Sequence, residues 1–176
     1  IDLTKDHIIV VCDKKIYIYA FETLTLIKSI DKNTDSDLIG LGLEKTEFLV
    51  YPGDKVGTIN IVKFEEDYCK TIQAHTSKIE HLHLSKDGKY FITASEKGTI
   101  LRIYSIETLS LVKELRRGMD ATTINDIRLS NDNSKLLVSS LKGTIHLYYT
   151  NIDENEDNKN AKFENYGTGY IKNYLP

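Results

Sequence analysis

Three copies of one tripeptide set the limits on what this chain can fold into. Gly57-Thr58-Ile59, Gly98-Thr99-Ile100 and Gly143-Thr144-Ile145 each open a run of alternating apolar residues, and they lie 41 and then 45 residues apart. A second echo has twice that period. Glu22-Thr23-Leu24-Thr25-Leu26-Ile27-Lys28 returns 85 residues later as Glu107-Thr108-Leu109-Ser110-Leu111-Val112-Lys113. Between the copies the chain is built of short runs rich in Ile, Val, Leu, Tyr and Thr, broken by Gly, Asp, Asn and Lys, which is the pattern of strands at regular spacing. Turns of the form Ser85-Lys86-Asp87-Gly88 and Ser130-Asn131-Asp132-Asn133 stand at matching places. A period of about 40–45 residues with four strands per unit is the mark of a β-propeller.

The units can be laid out directly. Residues 1–36 read as the last three strands of one blade, 37–74 and 75–115 as whole blades, 116–150 as three strands of the next, and 151–176 as an inter-strand loop. That is an all-β chain of about three and a half four-stranded blades, and propeller blades bury their faces only against neighbours. The expectation is a piece of a larger propeller, with open blade edges that keep the stretch from folding alone.

Composition narrows the function. A net charge of −3 across 176 residues argues against a nucleic-acid binder that works by bulk electrostatics, so any anion site must be local. No apolar run approaches ~18 residues, and no charged-then-apolar leader opens the sequence, so neither a spanning helix nor a signal peptide is expected. Two cysteines, Cys12 and Cys69, form no dense framework and fit a reducing cytosolic compartment. His81 and His83 share a strand face without a third ligand at a sensible spacing. No Walker loop, G-x-G-x-x-G or G-x-S-x-G occurs. The expectation is a non-enzyme with no cofactor and no metal.

The local anion site is sought at Leu115-Arg116-Arg117-Gly118. Neighbouring side chains of an extended chain leave opposite faces, so Arg116 and Arg117 feed two pockets on either side of a strand end. Guanidinium offers a permanently charged planar fork of donors that suits phosphate oxygens. By residue type alone, other roles stay open. Thr99 and Thr144 serve strand propensity and turn chemistry, His75 a hydrogen bond within its own blade, and Asp120 and Asp126 could neutralise the pair.

Three motifs at blade spacing carry a resemblance over nearly the whole chain. They are Leu49-Val50-Tyr51-Pro52-Gly53 followed by Gly57 and Ile59-Asn60-Ile61-Val62, then Thr93-Ala94-Ser95-Glu96-Lys97-Gly98-Thr99 after Ala74-His75, and finally Leu115-Arg116-Arg117-Gly118. Together they resemble the PROPPIN family, the WIPI-type WD-repeat propellers of seven blades, and look closer to its shorter members with Leu before the Arg pair. The resemblance implies two phosphoinositide headgroup sites on the rim. Arg116 with His75, Thr93, Ser95 and Thr99 resembles the first. Arg117 with Thr123, Ser140, Lys142 and Thr144 resembles the second. His75, at an ordinary pKa of about 6.5, would tighten phosphate binding in mild acid. The resemblance also implies a long loop that dips into the membrane, here Phe163, Tyr166, Tyr170, Ile171, Tyr174 and Leu175, aromatics of the kind that favour a bilayer interface.

Membership of such a family would imply a cytoplasmic, monomeric adaptor, peripherally bound to autophagosomal precursor or endosomal and vacuolar membranes. It would read phosphatidylinositol 3-phosphate or the 3,5-bisphosphate and recruit an autophagy lipid-transfer protein, with no part for nucleic acid. The alternative is a WD-repeat protein-interaction scaffold without lipid binding, its Arg pair meeting an acidic peptide or another blade.

Overall fold

The computed structural model describes residues 1–34, 36–41 and 47–152, and the backbone of 169–172. These form four antiparallel sheets of four strands. Sheet I is β1 (Asp2–Leu3), β2 (His7–Val11), β3 (Lys15–Ala20) and β4 (Leu26–Asp31); sheet II is β5 (Gly40–Leu41), β6 (Phe48–Pro52), β7 (Thr58–Lys63) and β8 (Cys69–Gln73). Sheet III is β9 (Ile79–Leu84), β10 (Tyr90–Ser95), β11 (Ile100–Ser105) and β12 (Leu111–Arg116); sheet IV is β13 (Ile124–Leu129), β14 (Lys135–Ser140), β15 (Thr144–Tyr149) and β16 (Gly169–Lys172). First strand β9 touches both β5 and β13, and residues from the first strands of all four sheets line one cavity of about 360 Å³. That is the radial build of a propeller, with each sheet running outward from a shared axis.

Two strands go beyond the sequence reading. Asp2–Leu3 pairs with Ile8 and Ile9 and completes sheet I, but two exposed residues carry no alternation by which to be recognised. Gly169–Lys172 pairs with Thr144 to Leu147 at a point where a long polar stretch has interrupted the repeat.

The pleat decides which residues hold the sheets together. Successive side chains of a strand face opposite ways, and here both faces are covered. Leu49, Tyr51, Val62 and Phe64 pack toward Ile9, Ile16 and Ile18 of sheet I. Their neighbours Val50, Ile59 and Ile61 pack toward Phe91, Tyr104 and Ile106 of sheet III. From sheet III, Ile92, Ala94, Leu101 and Ile103 turn the other way, onto Ile124, Ile127, Leu136, Val138 and Tyr148. The core is therefore three apolar gaps, I–II, II–III and III–IV, and each buried aliphatic or aromatic side chain in them contributes roughly 1.5–3 kcal/mol.

Repeated sequence folds into repeated geometry. Leu24 and Leu109, equivalent in the 85-residue echo, both adopt left-handed φ, 56° and 54°. Both follow a Thr hydroxyl that meets the hydroxyl two residues on, Thr23 with Thr25 at 2.8 Å and Thr108 with Ser110 at 2.7 Å. The two copies also share a bulge, after Ile18 and after Ile103. Lys28 and Lys113 of the echo reach into the next sheet, Lys28 donating to the carbonyls of Lys63 and Glu66 and Lys113 to those of Tyr149 and Thr150.

The Gly-Thr-Ile turns look alike but differ in surroundings. Gly98 has φ +59°, and a Cβ there would lie 2.0 Å from the Thr122 carbonyl oxygen; Gly143 has φ +69° with nothing within 4 Å. Gly143→Ala should therefore cost only the left-handed strain of about 1 kcal/mol, whereas Gly98→Ala adds a backbone collision and should cost more than ~2 kcal/mol. Urea denaturation of the two variants orders them, and equal losses would refute the collision.

Candidate anion-binding site between the sheets

Where an outermost strand ends and the chain crosses to the next sheet, a residue one or two places past the strand is held by its own amide. His75 N donates to the carbonyl of Gly57 at 2.9 Å, and Arg117 N to that of Thr99 at 2.9 Å. Gly57 and Thr99 stand immediately before the third strands of their sheets. One residue earlier, a tyrosine of the following sheet closes the joint. Tyr104 Oη donates to the Ala74 carbonyl at 3.0 Å, and Tyr148 Oη to the Arg116 carbonyl at 3.1 Å. By strand register Ala74, whose amide also donates to the Gly57 carbonyl at 2.8 Å, is the counterpart of Arg117, and His75 lies one residue further on, two past β8.

Gap II–III gathers the first group of residues. Thr93 and Ser95 lie on the same face of β10 as Phe91, and both are buried. His75, 5% exposed, places Nε2 3.0 Å from Thr93 Oγ1. Ile100 opposes Arg116 and Arg102 opposes Glu114 across β11 and β12, which puts Arg116 on the same face as Arg102 and Glu114, toward sheet II. The Arg116 guanidinium is exposed and makes no hydrogen bond or ion pair among the described residues. Thr99 is half-buried in the bend before β11, its carbonyl engaged by the Arg117 amide. Sequence reasoning missed Arg102, whose Nη1 donates to the Ala74 carbonyl at 2.6 Å and whose Nε meets Glu114 at 2.8 Å. Its position two residues after Ile100, on the Arg116 face, was the available signal.

Gap III–IV gathers the second group. Arg117 is 7% exposed; its Nε donates to the Gly98 carbonyl at 2.7 Å and its Nη2 to the Asp120 carbonyl. Ser140 and Thr144 hydroxyls meet at 2.8 Å, and His146 Nε2 lies 3.2 Å from Thr144 Oγ1. Ser140, Thr144 and His146 all share the face of Val138 and Tyr148, toward sheet III. Lys142 is exposed and pairs with the Asp120 carboxylate at 3.3 Å. Thr123 is exposed, and its carbonyl takes the Leu141 amide. The membrane-loop residues divide: Tyr170 and Ile171 pair in β16 with His146 and Ile145, and Phe163, Tyr166, Tyr174 and Leu175 lie outside the described residues.

The electrostatics set the two gaps apart. Burial, and then the nearby Arg102 charge, lower His75 to about 4. Burial and the Arg117 charge also lower His146. His75 is therefore neutral at physiological pH, and the mild-acid gain expected of it is not available to the free protein. Each gap mouth has a guanidinium as its permanent charge, with hydroxyls as neutral donors beside it. Among the described residues, no group of three His, Cys, Asp or Glu is placed to hold a metal, His81 and His83 included.

A family model described as PROPPIN matches residues 1–175. The chain belongs to the PROPPIN family. It is 36% identical to SVP1-like protein 2 of Pichia angusta, over 83% of this chain and 43% of that protein. It is 31% identical to autophagy-related protein 18e of Arabidopsis thaliana, over 84% of this chain and 40% of that one. Among solved PROPPIN structures, Kluyveromyces lactis Hsv2 superposes with a TM-score of 0.80 at 25% identity, covering 99% of this chain and 57% of that chain. Kluyveromyces marxianus Hsv2 gives 0.74 at 30% identity, covering 84% and 48%. The chain thus spans under half the length of these curated relatives, and within that span it is a PROPPIN propeller in both sequence and fold.

The depressed His75 has a consequence for stability. Its folded value, about 4, lies below the ordinary 6.5 of the unfolded chain, so the unfolded state takes up the proton first as pH falls. The stability it contributes is whole above pH 6.5 and is lost as pH falls toward 4. Between pH 7 and 4.5 the wild type should lose about 2 kcal/mol more than His75→Asn, measured by urea midpoints at the two pH values; parallel losses would refute the assignment.

Proposed function

We propose that this chain is the phosphoinositide-reading part of a PROPPIN membrane adaptor, with phosphatidylinositol 3-phosphate and/or the 3,5-bisphosphate as its ligands. The observation that carries the reading is the Arg pair astride one strand end, with Arg116 on the II–III face and Arg117 at gap III–IV. Each arginine shares its gap with hydroxyl groups: Thr93 and Ser95 on one side, Ser140 and Thr144 on the other. A phosphomonoester carries about −1.5 to −2 charge and several strong acceptors. One guanidinium fork and two or three hydroxyls satisfy these without a broadly basic surface, which suits a chain of net charge −3. Arg117 uses two of its five N–H groups on backbone carbonyls, so three remain for a ligand.

Two weak sites on one rigid body gain avidity on a surface that presents both ligands. The names of the relatives, autophagy-related protein 18e among them, support a role in autophagy or endosomal traffic. In this reading the protein acts from the cytoplasm, peripherally at autophagosomal precursor, endosomal or vacuolar membranes, and brings a lipid-transfer protein there. Aromatic residues of the segment beyond Thr150, Phe163 and Tyr166 among them, add contact with the bilayer interface.

Sedimentation with vesicles containing or lacking phosphatidylinositol 3-phosphate tests this. Wild type should pellet only with the lipid, and Arg116→Thr with Arg117→Thr should reduce binding at least tenfold with the melting temperature preserved. A folded wild type that ignores the lipid would reject the reading in favour of a protein-interaction scaffold. The Asp120 carboxylate pairs with Lys142 beside the Arg117 site, so Asp120→Asn should strengthen binding about two- to fivefold; unchanged affinity would remove Lys142 from the site.

A further inference from the structure

Gap I–II carries a basic residue at the position that Arg117 holds in gap III–IV. Lys32 is the first residue past outermost strand β4, and its amide donates at 2.9 Å to the carbonyl of Lys14, the residue immediately before β3. Like His75 and Arg117 it is buried, 2% exposed. Its ammonium donates at 2.9 Å to the carbonyl of Ser36, four residues on, just as Arg117 donates to a carbonyl three residues on.

The surroundings match as well. A cavity of about 310 Å³ lies at this edge, with Asn33, Ser36, Gly53 and Thr58 in its wall. Gly53 is what keeps it open: a Cβ there would fall 2.5 Å from Thr58 Oγ1 and 3.1 Å from Asn60 Oδ1. What distinguishes this gap is that the buried cation at the joint is itself paired with a carboxylate. Asp37 Oδ1 lies 3.3 Å from Lys32 Nζ, and the Asp37 side chain is 81% exposed while that of Lys32 is 1% exposed.

We infer that gap I–II is a third phosphate-binding gap, built on Lys32 and occupied in the free protein by the Asp37 carboxylate. A phosphate monoester has the charge and acceptors to take the place of Asp37, with the second amide N–H of Asn33, whose first is held by Asp54, as a further donor. The inference takes its ligand class from the reading of the Arg pair above but depends on neither arginine. Displacement is favoured on the Asp37 side, because its carboxylate is 81% exposed and returns to water.

The test uses protein carrying Arg116→Thr and Arg117→Thr, so that failure of the two-arginine reading does not bear on it. Inorganic phosphate and inositol 1,3-bisphosphate are titrated at pH 7.5, and amide shifts of residues 32–37 and 57–60 are followed by NMR. Saturable shifts there are expected, tightened three- to fivefold by Asp37→Asn, retained in Lys32→Arg and weakened at least tenfold in Lys32→Gln. Tighter binding of the inositol phosphate supports a lipid headgroup as the source, and equal binding supports the free ion; both uphold the gap. No saturable shift in the folded Asp37→Asn protein would overturn it. So would shifts that persist in a folded Lys32→Gln. Should Lys32→Gln not fold, Asp37→Asn and Lys32→Arg still decide.

Discussion

Everything in this molecule depends on sheets that are apolar on both faces. A sheet with one wet face can close its core with a single partner, but sheets II and III have none. Their strands alternate between two neighbours, residue by residue, so each sheet is stable only as the filling between two others. The same alternation distributes the polar chemistry. A side chain at the end of an outer strand belongs to one gap, and the next side chain belongs to the other, which is how two adjacent arginines come to serve two separate places.

The position just past each outer strand then matters more than the residue that fills it. It is alanine at gap II–III, with His75 one residue further on, arginine at gap III–IV and lysine at gap I–II. His75, Arg117 and Lys32 are all buried at these joints and donate their amides to the residue before a third strand, yet they differ in chemistry. Desolvation and Arg102 keep the imidazole neutral, while guanidinium holds its proton in any protein environment. Lysine sits beside a carboxylate of its own crossing segment. The fold offers one seat, and the occupant decides whether that seat attracts an anion, donates a neutral hydrogen bond or is already satisfied.

Much of this was legible in the chain. The 85-residue echo foretold two turns that agree down to the left-handed leucine, and Ser85-Lys86-Asp87-Gly88 with its partner turn foretold where strands reverse. The face of each arginine followed from the pleat alone. What escaped had no periodic signal. Asp2–Leu3 is too short to alternate, and Gly169–Lys172 is set apart by a polar stretch. Lys32 sits in Asp31-Lys32-Asn33-Thr34, which reads as an ordinary solvated turn; only its offset from the end of β4, compared with the other sheets, marks it. The neutrality of His75 depends on burial and on Arg102 from another strand, neither of which a sequence displays.

Lys28 and Lys113 each extend from an outer strand into the sheet that comes next, where their ammonium groups clasp backbone carbonyls. The direction is the same in both, from earlier sheet to later. During synthesis a chain emerges from its amino end, so sheets I and III, once made, already carry the hook for a neighbour not yet made. The two lysines give the blade joints a polarity, so that the earlier sheet clasps the later one and not the reverse.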